Sequence, residues 1–184
     1  MRIMKEKVNS KILWNDAGKA GIVLGGVVIL YSLAVSLTGG LSGKFPQFLT
    51  FVLWCAKFGG CLYLMYFFMV RLSKQYDGVT NRTAFGHGVR IALLSALVCS
   101  AYALSDALLH PEAIEQVFEL VQTQFSSMLD SNSMSAMEQM QQNYPVYLFF
   151  SNFIYCFLFG VVVAKIYSTN FPQADPFGDA GERN

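Results

Sequence analysis

The chain has 184 residues, of which 54% are drawn from AVILMFWYC and only 14% are charged, against the ~25% usual in soluble domains. A net charge of +1 excludes a nucleic-acid binder of the basic-patch kind, and the apolar content excludes a disordered chain. The mean hydropathy of +0.41 points to a polypeptide solvated mainly by lipid, of a length for one helical unit rather than two domains.

About 20 apolar residues are needed to cross ~30 Å of hydrocarbon as a helix. The first such stretch is 20–38, free of charge and followed by Gly39 and Gly40, which break helices. It is longer than the ~7–15 residues of a signal-peptide core, so a retained anchor is expected rather than a cleaved leader. The second is 48–70, opened by Pro46 and closed by Arg71; the third is 89–109, ending before Pro111; the fourth is 146–164, with Pro145 expected at its first turn. None alternates with period two, which excludes a β-barrel. The fold class expected is therefore all-α: a membrane bundle of four transmembrane helices forming one domain.

Cations set the expected orientation. Arg2, Lys5, Lys7, Lys11 and Lys19 precede the first span, Arg71, Lys74 and Arg82 join the second to the third, and Lys165 and Arg183 follow the fourth. The opposite face has only Lys44, so both termini are expected in the cytoplasm. The outward segment 110–145 contains no Lys or Arg. Within it, Ile114, Val117, Phe118, Val121, Phe125 and Met128 recur at helical spacing behind Pro111, Glu112 and Glu115, which predicts an extracytoplasmic amphipathic helix. The absence of a basic face favours docking on the protein's own helices over anionic lipid. Beyond Asp130 the chain turns polar and rich in methionine.

Ionisable groups at membrane depth are costly and point to function. Lys57 lies near the middle of the second span, and Asp106, Ser100, Asn152 and Tyr155 fall within snorkelling reach of its depth. Together they form a candidate intramembrane polar site, with Lys57 and Asp106 as a possible transport pair; the plainer alternative is a structural lysine rising to the interface. His87 and Arg90, three residues apart at the inner end of the third span, are candidate contacts to inner-leaflet phosphates or to an acidic partner, with an inner-leaflet anchor preferred. His110 is on the opposite face, so no two-histidine metal site is expected.

Cys55, Cys61, Cys99 and Cys156 all fall inside spans. Cys55, Cys99 and Cys156 share a depth at which Cu(I) could be held, although packing is the preferred role and neither metal nor cofactor is expected. Gly21 and Gly25 form a G-x-x-x-G pair suited to close helix packing, within the chain or between subunits. No nucleotide-binding, metalloprotease or nucleophile-elbow motif is present, and no pair of carboxylates lies at membrane depth.

The segments Trp14-Asn15-Asp16-Ala17-Gly18-Lys19-Ala20-Gly21 and Thr83-Ala84-Phe85-Gly86-His87-Gly88, with Gly78, His110-Pro111-Glu112 and Asp175-Pro176-Phe177, carry a family likeness. Over nearly its whole length the chain resembles an uncharacterised family of small bacterial four-helix integral membrane proteins, a domain of unknown function typical of Bacteroidota. The resemblance implies a multi-pass protein of the inner membrane of a Gram-negative bacterium and brings no catalytic residues with it. The expected function is non-enzymatic: a structural, assembly or accessory subunit. Its surroundings would be the lipid bilayer and a membrane-protein partner or a second copy, with no nucleic acid; a small transporter or channel is the alternative.

Overall fold

The computed structural model describes residues 8–38, 44–125 and 130–173, with the side chains of 44–46 and 131 not described. Arg2, Lys5, Lys7, Gly39, Gly40, Met128, Arg183 and the Asp175-Pro176-Phe177 segment lie outside the described residues. Five helices follow in order: α1 (Ser10–Thr38), α2 (Lys44–Gln75), α3 (Asn81–Leu109), α4 (Pro111–Phe125) and α5 (Ser131–Ser168). Among the described residues α1, α2, α3 and α5 are each long and apolar enough to cross a membrane.

Side-chain oxygens open three of the helices by accepting from backbone N–H groups that have no partner within the helix. Asn9 Oδ1 accepts from Ile12 N at 2.9 Å, Thr80 Oγ1 from Thr83 N at 3.4 Å, and Asp130 Oδ1 from Ser133 N at 2.8 Å. Gly78 takes the positive φ of 76° that the turn between α2 and α3 requires. The segment after α5 returns to this turn, where Asn81 N donates to the Pro172 carbonyl at 2.7 Å and Phe171 and Val79 are buried.

Helix α3 is the centre of the bundle, because it carries a small residue every fourth position: Ala84, Gly88, Ala92, Ala96 and Ser100. Opposite it, antiparallel α5 carries Asn152, Cys156, Gly160, Ala164 and Ser168 at the same interval. Small residues let backbones approach where lipid supplies no hydrophobic drive to associate. A Cβ on Gly88 would stand 2.7 Å from that of Ala164, and one on Gly160 would stand 2.5 Å from that of Ala92. On its other flank α3 meets parallel α1, where a Cβ on Gly21 would be 2.7 Å from Leu94 Cβ and one on Gly25 would be 2.5 Å from Val98 Cγ1. The Gly21–Gly25 pair thus packs within the chain.

Packing is densest at one end of the bundle. Leu13, Ala17 and Leu24 of α1, Met65, Met69 and Leu72 of α2, and Ile91 and Val163 of α3 and α5 share that core. Towards the other end the helices part, and Leu33, Leu37, Phe48, Phe51 and Trp54 present their side chains outward. In a bilayer such surfaces are solvated by lipid.

Two sequence expectations are corrected. Pro145 does not open the fourth helix but lies inside α5, which begins at Ser131. A proline removes one helical hydrogen bond, here to the carbonyl of Gln141. That turn borders a cleft lined by Glu138, Gln141 and Gln142, where a freed carbonyl has polar surroundings and room for solvent. The polar, methionine-rich stretch is therefore helical as well. The expected helix between the third and fourth spans is present as α4, which runs back along the start of α5. Phe118 is buried against Tyr144 with ring centroids 5.6 Å apart, while Val117, Leu120, Val121 and Phe125 are exposed. The apolar stripe is only partly taken up by the protein itself.

Candidate functional site

Where the bundle begins to part, α1, α2, α3 and α5 enclose a groove of about 310 Å³. Lys57, Asn152, Tyr155, Cys61, Cys99 and Cys156 contribute its polar lining. Lys57 projects from α2 towards α1, and its Nζ lies 4.2 Å from the centre of the Tyr31 ring. A cation over an aromatic face is stabilised by the ring quadrupole, by roughly 2 kcal/mol or more where water is excluded. From α5, Asn152 Nδ2 donates to the fully buried Ser100 Oγ at 3.4 Å, and its Oδ1 accepts from Cys156 Sγ at 3.6 Å. This network is the polar part of the α3–α5 seam. The aromatic wall is ordered: Trp54 and Phe58 stack with centroids 5.6 Å apart and planes 8° from parallel, and Phe159 meets Phe58 at 5.6 Å.

Of the five residues expected at membrane depth, the groove brings together Lys57, Asn152 and Tyr155, and Ser100 joins them through Asn152. Asp106 does not. Its carboxylate faces His110 one turn further along α3, with Oδ1 and Nδ1 3.4 Å apart, and both side chains are 59% exposed. Among the described residues no ion pair joins Lys57 to Asp106. Depth along a span was the only coordinate the sequence supplied, and the two groups differ in azimuth as well as height. The cysteine expectation changes likewise: Cys55 is exposed, and Cys61 takes its place beside Cys99 and Cys156. Among the described residues no group of three His, Cys, Asp or Glu has the geometry of a metal site.

The expectation for His87 is overturned. Instead of facing inner-leaflet phosphates it is fully buried, with Nε2 3.3 Å from Oδ2 of Asp16 on α1. The two atoms are close, but their angles do not make a hydrogen bond, and neither ring nitrogen has another partner. The contact is an ion pair when the imidazole is protonated. Burial follows from the close approach of α1 and α3, which leaves no path from His87 to the surface. Arg90, one turn on and half-buried, lies with its guanidinium carbon 5.4 Å from the Trp14 ring centre. Asp16 and Trp14 are the partners that the reading of single spans missed. The available signal was Asp16, an acid placed between Lys11 and Lys19 just ahead of the first apolar run.

The segments that carry the family likeness, 14–21 and 83–88, thus face each other across the α1–α3 contact. Residues 19–169 match a family described as protein of unknown function, DUF4199. The chain belongs to the DUF4199 family. No curated protein and no solved structure matches it. The DUF4199 match runs from the last lysine before the first span to the end of α5, so it includes the groove, the His87 pocket and α4, but not Asp16 or Trp14.

Proposed function

We infer that this DUF4199 protein is a non-enzymatic accessory or assembly subunit of a bacterial cytoplasmic membrane, both termini cytoplasmic, that meets a partner through the hairpin of α4 and the first third of α5. The observation that carries this reading is the exposed apolar stripe Val117, Leu120, Val121 and Phe125 on a hairpin with no basic residue. Its length supports the reading. Helix α5 has 38 residues, about 57 Å at 1.5 Å per residue, whereas the hydrocarbon layer takes up only ~30 Å.

Between Arg90 and Lys165 there is no Lys or Arg, while Asp106, Glu112, Glu115, Glu119, Asp130 and Glu138 are acidic. Anionic headgroups would repel this surface, so the stripe suits a protein with apolar and basic side chains better than a lipid surface. The cation distribution supports cytoplasmic termini, with the hairpin on the other side. Site-specific photo-crosslinking from Val121 and Phe125 in intact cells tests the reading. A discrete adduct with another membrane or extracytoplasmic protein is expected. Crosslinks to lipid alone at both positions would contradict it.

A further inference from the structure

We propose that the groove beside Lys57 binds an isoprenoid quinone, or a lipid-borne ring of the same chemistry with carbonyl oxygens at its edge. Three features lead there independently of the hairpin. An ammonium carries three N–H donors and no acceptor. Lys57 presents one face of that group to Tyr31, and among the described residues no oxygen accepts from it and no carboxylate pairs with it. In surroundings of Phe, Met, Leu and Val, unsatisfied donors are costly, and a carbonyl oxygen would satisfy one.

The walls are flat. Trp54 and Phe58 are stacked with their planes 8° from parallel, and Phe159 meets Phe58 from α5 at 44°, a surface on which a ring can lie in offset contact. The volume of about 310 Å³ is at the lower end of the ~300–1,000 Å³ of ligand pockets. Access fits a ligand that never leaves the bilayer. Helices α2 and α5 meet through the Phe58–Phe159 and Tyr66–Tyr167 ring contacts, and the rim of the groove carries Trp54, Phe58 and Tyr155, all exposed on the outside of the bundle. The aromatic wall decides between ligand classes: a quinone ring can stack on Trp54 and Phe58 while its carbonyl meets Lys57, whereas a fatty acid would use the lysine alone.

The test uses the full chain in nanodiscs and a short-tailed menaquinone analogue. The protein has two tryptophans, Trp14 and Trp54, so Trp14→Phe leaves the groove residue as the reporter. Saturable quenching of Trp54 is expected, displaced by a second, non-quenching quinone analogue and not by oleate. Lys57→Met should weaken binding about tenfold or more, the scale of one charge-assisted hydrogen bond, and Lys57→Arg should restore most of it. Quenching that rises linearly with quinone concentration, as partition into lipid would give, overturns the proposal. So does displacement by oleate, which would make the site one for carboxylates. Saturation and displacement are read on the Lys57 protein, so they do not depend on the Met variant folding.

Discussion

The α3–α5 seam allows a direct test of whether close backbone approach holds the bundle together. In Gly160→Ala the new Cβ would stand 2.5 Å from Ala92 Cβ and 3.3 Å from Ala92 Cα, whereas apolar carbons prefer ~3.5–4.0 Å. Helices α3 and α5 would have to part by about 1 Å, at a cost of roughly 1–3 kcal/mol for an overpacked contact. The same substitution gains up to ~1 kcal/mol of helix propensity, so a net loss of about 1–2 kcal/mol is expected. Ala92→Gly removes the opposing Cβ and alone costs ~1 kcal/mol of propensity. In the double variant one methyl replaces the other, so stability should return to within about 1 kcal/mol of the parent and the cycle should show coupling of ~1–3 kcal/mol. The internal control is Gly26→Ala, where nothing lies within 4 Å, and which should be neutral or slightly stabilising. Reversible unfolding in mixed dodecylmaltoside–SDS micelles, followed by far-UV circular dichroism, reads all four. A Gly160→Ala protein as stable as the Gly26→Ala control, or a double variant no better than the sum of its singles, would refute the reasoning.

Asp16→Ala should destabilise the protein by about 1–3 kcal/mol, because it removes the polar neighbour of the fully buried His87 ring. Replacing both Asp16 and His87 by Leu should recover most of that loss in the same unfolding assay. At the start of α5 the side chain and backbone N–H of Ser133 hold the Asp130 carboxyl below the usual carboxylate range. Its capping contribution is therefore full above the unfolded pKa of ~3.9 and is lost as pH falls through the lowered folded value. Protection factors for amide exchange at Ser133 and Met134, each referred to the intrinsic rate at the same pH, should fall on acidification, and Asp130→Asn, which caps without titrating, should abolish that fall. Lys57 and Asp106 are not paired, so proteoliposomes of the parent and Lys57→Met proteins should show the same proton permeability; a flux lost only in the variant would revive a transport pathway.

Much of the fold was legible because lipid imposes a coarse rule. Uninterrupted apolar runs must be helices, and the run of residues without Lys or Arg after Arg90 marks one segment as set apart, so four spans and α4 were readable from pattern alone. Azimuth was not. Lys57 and Asp106 fell within snorkelling reach of each other in depth yet face different neighbours, and His87, read as interfacial from its position along the chain, is buried where α1 and α3 approach closely, with Asp16 beside it. Pro145 misled because a proline is excluded from a helix only where the freed carbonyl has no other surroundings, and that depends on the cleft beside α4. The small residues of α3 and α5 were visible at intervals of four, but only the contact between the two helices gives that interval its meaning.

The proposed function requires that the four apolar helices cross the bilayer and that the α4 hairpin lies outside. Single-cysteine labelling in intact cells tests this most directly, using a functional protein whose native cysteines are replaced. A membrane-impermeant maleimide should modify Glu115→Cys in whole spheroplasts and Lys74→Cys only after the membrane is opened. Labelling of Lys74→Cys from outside, with Glu115→Cys protected, would contradict the account.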